Sequence, residues 1–147
     1  MRAWCASVLK GGGDSVILPR AMTAVRTLIL DDHADVRFLI RAIMEDADED
    51  VEVVGEADDV EAALEQLDAT APDVIVMDAR MPRVDGFEAA PLLLERRPGV
   101  ALILCTGWVD DDVRRRAAEA GFATVVSKDE FDELPAVVAR VAAGGGD

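Results

Sequence analysis

The sequence predicts an α/β fold: five repeats of strand then helix, wound on both faces of one parallel sheet. Three observations carry this. Five short apolar runs recur along the chain, at Thr27–Leu30, Val51–Val54, Val74–Met77, Ala101–Cys105 and Thr124–Val126. Each is continuous rather than alternating, as strands covered on both faces require. Between them the apolar residues change to helical spacing. Strict βα alternation then implies helices on both faces and right-handed crossovers.

The helices follow in order. Val36, Leu39, Ile40, Ile43 and Met44 form one apolar stripe, and Val60, Ala63, Leu64 and Leu67 form a second. A third helix fits 87–97 and a fourth 111–120, the latter closed by Gly121 as a C-cap. Leu134, Val137, Val138 and Val141 mark the fifth. Pro91 lies about a turn into the third helix, where its ring and missing N–H are costly, so a late start or a bend is expected there.

Three segments divide the chain: an N-terminal extension (1–23) expected to be flexible, a folded domain (24–143) and a frayed tail (144–147). The extension carries a Gly triplet and a Pro without sustained periodicity, and Met22 stands just before the first strand, where a natural start would fit. The apolar run from Ala3 to Leu9 is short and followed by Lys10 and glycines, so no secretory signal is expected. No run approaches the roughly 18 apolar residues of a membrane span.

Composition narrows the function. The chain has 147 residues, 51% of them apolar, which suits one domain with a real core. Its formal net charge of -15 opposes direct binding of nucleic acid or an anionic membrane. Cys5 and Cys105 make no framework pattern and read as free thiols of a reducing cytoplasm.

The chemistry concentrates where the strands end, the edge at which open α/β sheets bind ligands. Strand one runs into Asp31-Asp32, strand three into Asp78, strand four into Thr106 and strand five into Lys128. Any one acid there could simply cap a helix. Three carboxylates with a hydroxyl and an ammonium are a different matter, because the carboxylates repel one another without a cation. An all-oxygen set suits Mg²⁺, with Mn²⁺ as the alternative ion.

These residues carry a resemblance. Leu28-Ile29-Leu30-Asp31-Asp32-His33, then Val76-Met77-Asp78-Ala79-Arg80-Met81-Pro82-Arg83-Val84-Asp85-Gly86, resembles the response-regulator receiver domain of two-component systems. Leu104-Cys105-Thr106-Gly107 and Ser127-Lys128-Asp129 extend the match over roughly residues 25 to 143. The resemblance implies a flavodoxin-like sandwich with strand order 2-1-3-4-5. It implies that Asp78 accepts a phosphoryl group from a sensor histidine kinase or phosphotransfer protein. Asp31, Asp32, Asp78 and the main-chain carbonyl of Arg80 would hold Mg²⁺. Thr106 would bond a phosphoryl oxygen, and Lys128 would pair with Asp78 and then with the phosphoryl group.

Two positions depart from the pattern. Val125 stands three before Lys128, where the family carries a switching aromatic ring, and Trp108 stands two after Thr106, able to cover the pocket mouth with Arg80. His33 reads as a packing or capping residue of the first helix. Asp110–Asp112 and Arg114–Arg116 read as a solvated, internally paired face of the fourth helix. That face, with the fifth strand and helix, is the expected contact with an output protein; a homodimer is a further option.

Other chemistries fit less well. A haloacid-dehalogenase-type hydrolase needs an acid at position 80, where Arg80 stands. A flavodoxin-like cofactor binder would meet repulsion from Asp31-Asp32 at its phosphate loop. A degenerate receiver acting as a phosphorylation-independent binding module is the alternative that Val125 leaves open. After Lys128 the 19 remaining residues leave no room for an output domain, so a partner is expected to carry the response and no enzymatic turnover is expected.

Overall fold

Strand residues alternate their side chains between two faces, and the continuous apolar runs of this chain fill both. The computed structural model describes residues 8–11, 14–17 and 24–144. In chain order the main elements are β1 (Val25–Leu30), α1 (Ala34–Glu45), β2 (Val51–Ala57), α2 (Val60–Thr70), β3 (Val74–Met77), α3 (Gly86–Arg96), β4 (Ala101–Thr106), α4 (Asp111–Ala120), β5 (Thr124–Ser127) and α5 (Leu134–Ala142), with a short 3-10 segment (Lys128–Glu133) before α5. The five strands are all parallel, in the order β2-β1-β3-β4-β5. This is the 2-1-3-4-5 arrangement.

The sheet separates two cores. On one face Leu28, Leu30, Ile75, Met77, Leu102 and Leu104 meet Ala63 and Leu67 of α2, Ala89 and Leu93 of α3, and Ala117 of α4. On the other, Ile29, Val74, Val76, Ile103 and Cys105 meet Ile40 and Met44 of α1 and Leu134, Val138 and Val141 of α5. Odd and even strand positions therefore go to opposite cores. Each fully buried Leu or Ile contributes about 1.5–3 kcal/mol, against about 1 kcal/mol for a helix cap, so the sheet core dominates stability.

Local chemistry ends the elements. Gly121 takes the left-handed conformation (φ 108°) that closes α4, as its sequence position predicts. Asp85 and Glu88 form a reciprocal capping box at the start of α3. The proline expectation needs correction in part: α3 starts on time and runs through Pro91. Pro91 is exposed, so the carbonyl it leaves without a helical partner lies on the side that water reaches.

Within the stretch expected as a flexible arm, Val8–Gly11 and Asp14–Ile17 pair as an antiparallel two-stranded ribbon. In sequence they are separated by Gly12-Gly13, a pair that favours two-residue hairpins. The rest of that arm, including Cys5, and residues 145–147 of the tail lie outside the described residues. Among the described residues no helix is long and apolar enough to cross a membrane.

Candidate phosphoryl-acceptor and metal pocket

Strand register builds the pocket. Leu30 pairs with Met77, and Met77 with Leu104, so the next residues, Asp31 and Asp78, emerge side by side. The Asp78 N–H donates to the Leu30 carbonyl at 3.1 Å, carrying the pairing one step past the strand ends. Thr106 lies in register with Ser127, which delivers Lys128 to the same edge. The chain leaves β1 for the α1 face and β3 for the α3 face, so the crevice opens at the switch point of the sheet.

At its foot, Lys128 Nζ lies 3.2 Å from Asp31 Oδ2 and 3.2 Å from Asp78 Oδ2. The resemblance implies a pairing of Lys128 with Asp78 alone, whereas the ammonium bridges both acids. Asp78 Oδ1 accepts the Ala79 N–H at 2.8 Å. Burial pushes the Asp78 carboxyl above its ordinary range, Lys128 opposes this, and the neighbouring Asp31 charge adds to it. Burial alone would lower Lys128, yet Asp31 and Asp78 outweigh it and raise the ammonium above its usual value. Asp78 is buried and Lys128 partly so, and each charge stabilises the other.

Asp31, Asp32, His33 and Asp78 offer donor atoms that all lie within 4.8 Å of one another. Asp32 Oδ1 is shielded from solvent and accepts no hydrogen bond. An unpartnered buried carboxylate oxygen among other carboxylates is costly unless a cation satisfies it. The donor set thus fits a divalent ion, and carboxylate oxygens suit Mg²⁺.

His33 differs from its expected role. It occupies the N-cap position of α1 but makes no side-chain capping bond. Its half-exposed ring turns back to the acids, with Nδ1 3.2 Å from Asp31 Oδ1 and 3.1 Å from Asp32 Oδ1. Its backbone N–H also donates to Asp31 Oδ1 at 2.8 Å.

Arg37 was not legible as a site residue. Its Nη1 donates to the Asp31 carbonyl at 2.5 Å, and its Nε bonds Glu56, which also takes Arg41. This network ties α1 and β2 to the backbone of the acidic pair. Gly86 is a second hidden determinant. A Cβ there would meet the Asp78 carbonyl oxygen at 2.4 Å and Ala79 Cα at 3.0 Å. Its N–H donates to the Ala79 carbonyl at 2.8 Å, so α3 begins pressed against the loop that carries Asp78.

A cleft of about 380 Å³ opens above these groups, lined by His33, Asp78, Arg80, Thr106, Gly107, Trp108 and Lys128. Trp108 is exposed, and its indole N–H donates to Asp110 Oδ2 at 2.9 Å, beside the cap of α4. A larger cleft of about 460 Å³ at the opposite end of the sheet holds Asp73 and Arg97. Both are bonded to backbone, Asp73 by Arg26 N–H and Arg97 to the Pro72 carbonyl.

The charged face of α4 is exposed and internally paired in part. Arg115 bonds Asp112 and lies 3.5 Å from Glu119. Arg116 instead stacks over the Phe87 ring at 4.1 Å. Val125 is half-buried against the first core.

Comparison with known proteins agrees with this architecture. The family model for the response regulator receiver domain matches residues 27–139. A protein-glutamate methylesterase/protein-glutamine glutaminase of Bradyrhizobium diazoefficiens is 37% identical over 116 residues, 78% of this chain and 31% of that protein. The response regulator GacA of Pseudomonas viridiflava is 36% identical over 104 residues, 71% of this chain and 48% of that protein. The chain therefore matches only about a third to a half of these relatives. Among solved structures, the signal receiver domain of NarL from Mycobacterium tuberculosis superposes with a TM-score of 0.75 at 32% identity, over 82% of this chain and 98% of that one. With its fold, its acidic strand ends and these matches in agreement, the chain belongs to the response regulator receiver domain family of two-component signalling.

Proposed function

We propose that this receiver is switched by phosphorylation of Asp78 in a Mg²⁺-dependent pocket. The observation that carries the reading is Lys128, shared at 3.2 Å between Asp31 and Asp78 at the foot of the cleft. It holds an ionised Asp78 oxygen in place although burial disfavours that charge.

In this reading Asp78 attacks the phosphorus of a phosphohistidine on a sensor kinase or phosphotransfer protein. A P–O bond forms as the P–N bond breaks, and the electron pair returns to the leaving imidazole, which takes up a proton. Asp31, Asp32, Asp78 and the Arg80 main-chain carbonyl would hold Mg²⁺, which would neutralise charge on the transferring group. Lys128 and Thr106, which both line the cleft, would receive phosphoryl oxygens. The product adds about -1.5 to -2 charges beside them.

The chain then acts as a signalling domain without enzymatic turnover, in the cytoplasm. Its output surface is α4, β5 and α5, where the exposed charges of α4 would meet a partner protein or a second copy. Val125 cannot provide a ring exchange, so the β4–α4 loop carrying Thr106 and Trp108 would transmit the change through its backbone.

Incubation with acetyl phosphate and Mg²⁺, followed by intact mass spectrometry, tests the reading. One adduct of about 80 Da is expected, lost with EDTA and in Asp78→Asn. An adduct that survives both would overturn it.

A further inference from the structure

We propose that His33 is a nitrogen ligand, making the acidic pocket a mixed nitrogen–oxygen site that takes a borderline transition ion such as Co²⁺, Ni²⁺ or Zn²⁺. The inference rests on the metal reading of the pocket given above and extends it to a second class of ion. The geometry is specific. Donors sharing one ion through bonds of about 2.1 Å lie about 3.0 Å apart along an octahedral edge and about 3.4 Å along a tetrahedral one. His33 Nδ1 lies 3.2 Å from Asp31 Oδ1 and 3.1 Å from Asp32 Oδ1, between those two values.

A ring N–H hydrogen-bonded between two acids would give similar distances. Here the ring satisfies only one of them. His33 and Asp31 are hydrogen-bonded, whereas Asp32 Oδ1 receives no hydrogen bond despite its 3.1 Å separation. Asp32 Oδ1 and the ring nitrogen thus lie at a ligand-to-ligand separation with no hydrogen bond between them. A carboxylate only accepts, so the Asp31 contact puts a proton on Nδ1; ligation requires the ion to displace it, the neutral ring then carrying its single proton on Nε2. The ring does not cap α1 and its side chain is 58% exposed, so no capping bond holds it away from the acids.

The ion class follows from the donors. Imidazole nitrogen suits Co²⁺, Ni²⁺ and Zn²⁺, while Mg²⁺ prefers oxygen and keeps its waters. His33 should therefore add affinity for the first group and almost none for Mg²⁺. Transition ions bind most N/O sites more tightly in any case, so the informative quantity is the change on removing His33.

The test is titration calorimetry of the untagged protein and of His33→Ala with CoCl₂ and, separately, MgCl₂ at pH 8. His33→Ala is expected to weaken Co²⁺ at least about tenfold and Mg²⁺ less than about twofold. Retained Mg²⁺ binding also reports an intact pocket. His33 is the only histidine of the chain, so one paramagnetically shifted imidazole N–H resonance is expected in the Co²⁺ complex, absent from His33→Ala. Equal losses of both ions, or no loss of either, would overturn nitrogen ligation while leaving the Mg²⁺ pocket standing. A wild-type protein that binds neither ion would overturn the pocket reading itself, and this inference with it.

Discussion

Gly86→Ala probes the contact on which the position of Asp78 depends. The added Cβ would lie 2.4 Å from the Asp78 carbonyl oxygen, where an ordinary C···O contact is about 3.3–3.6 Å. Roughly 1 Å of movement is needed, and both obstructing groups are backbone, so no side chain can swing aside. Overpacking of this kind costs about 1–3 kcal/mol. Alanine gains helix propensity over glycine, at most about 1 kcal/mol, and less in a first turn. The net loss expected is about 1–2 kcal/mol, or a Tm lower by about 4–10 °C for a domain of this size. Gly99→Ala supplies the control for both Tm and rate, and Gly107→Ala, at a position lining the cleft, a control for Tm alone, because a Cβ at either meets nothing within 4 Å. Thermal unfolding followed by circular dichroism measures all three. The displaced Asp78 should also slow phosphorylation by acetyl phosphate, by up to about 10²-fold for a misplacement near 1 Å. If Gly86→Ala matches the controls in both Tm and rate, α3 does not set the position of the acceptor.

Three further outcomes are expected. Ala71 ends α2 with φ 45°, a left-handed conformation that costs a residue bearing a Cβ about 1 kcal/mol, so Ala71→Gly should stabilise by about 0.5–1 kcal/mol in urea denaturation. Asp78 has a raised pKa in the folded state, so its charge penalises the fold increasingly as pH rises from below the ordinary Asp value through the folded one. Asp78→Asn should then stabilise the protein in EDTA, more at pH 7 than at pH 4; an equal effect at both would contradict the buried-charge argument. Cys105 is buried, with its thiol pushed up from 9.0 to about 12, and in a Cys5→Ser background iodoacetamide at pH 8 should label it only as fast as the protein unfolds.

The fold was legible because two periodicities were unmixed. Each of the five apolar runs lies in a strand, and the strands extend beyond them: β1 begins two residues earlier at Val25, β2 continues through Gly55, Glu56 and Ala57, β4 through Thr106 and β5 through Ser127. Those residues lie in strands through ladder bonds to a neighbour, which local composition does not report. The candidate site was legible as a set of residue types because strand ends in a parallel sheet share one edge. What could not be read was contact between side chains of different segments. His33 reads as an ordinary helix cap until Asp31 and Asp32 are placed around its ring. Nothing near Arg37 signals that it will hold the Asp31 carbonyl, since its partner Glu56 lies a strand away. Gly86 has no left-handed φ to betray it; its need arises only from the closeness of the Asp78 backbone. The late start expected of α3 is absent because Pro91 stands on the exposed side, where water reaches the carbonyl it leaves unpaired.

On phosphorylation Asp78, and no other acid in the pocket, should carry the phosphoryl group. Phosphorylation with acetyl phosphate and Mg²⁺, reduction of the acyl phosphate by borohydride and peptide sequencing by mass spectrometry would read this directly. Homoserine at position 78 alone is the predicted result. Homoserine at Asp31, Asp32 or Asp85, with Asp78 unmodified, would contradict it.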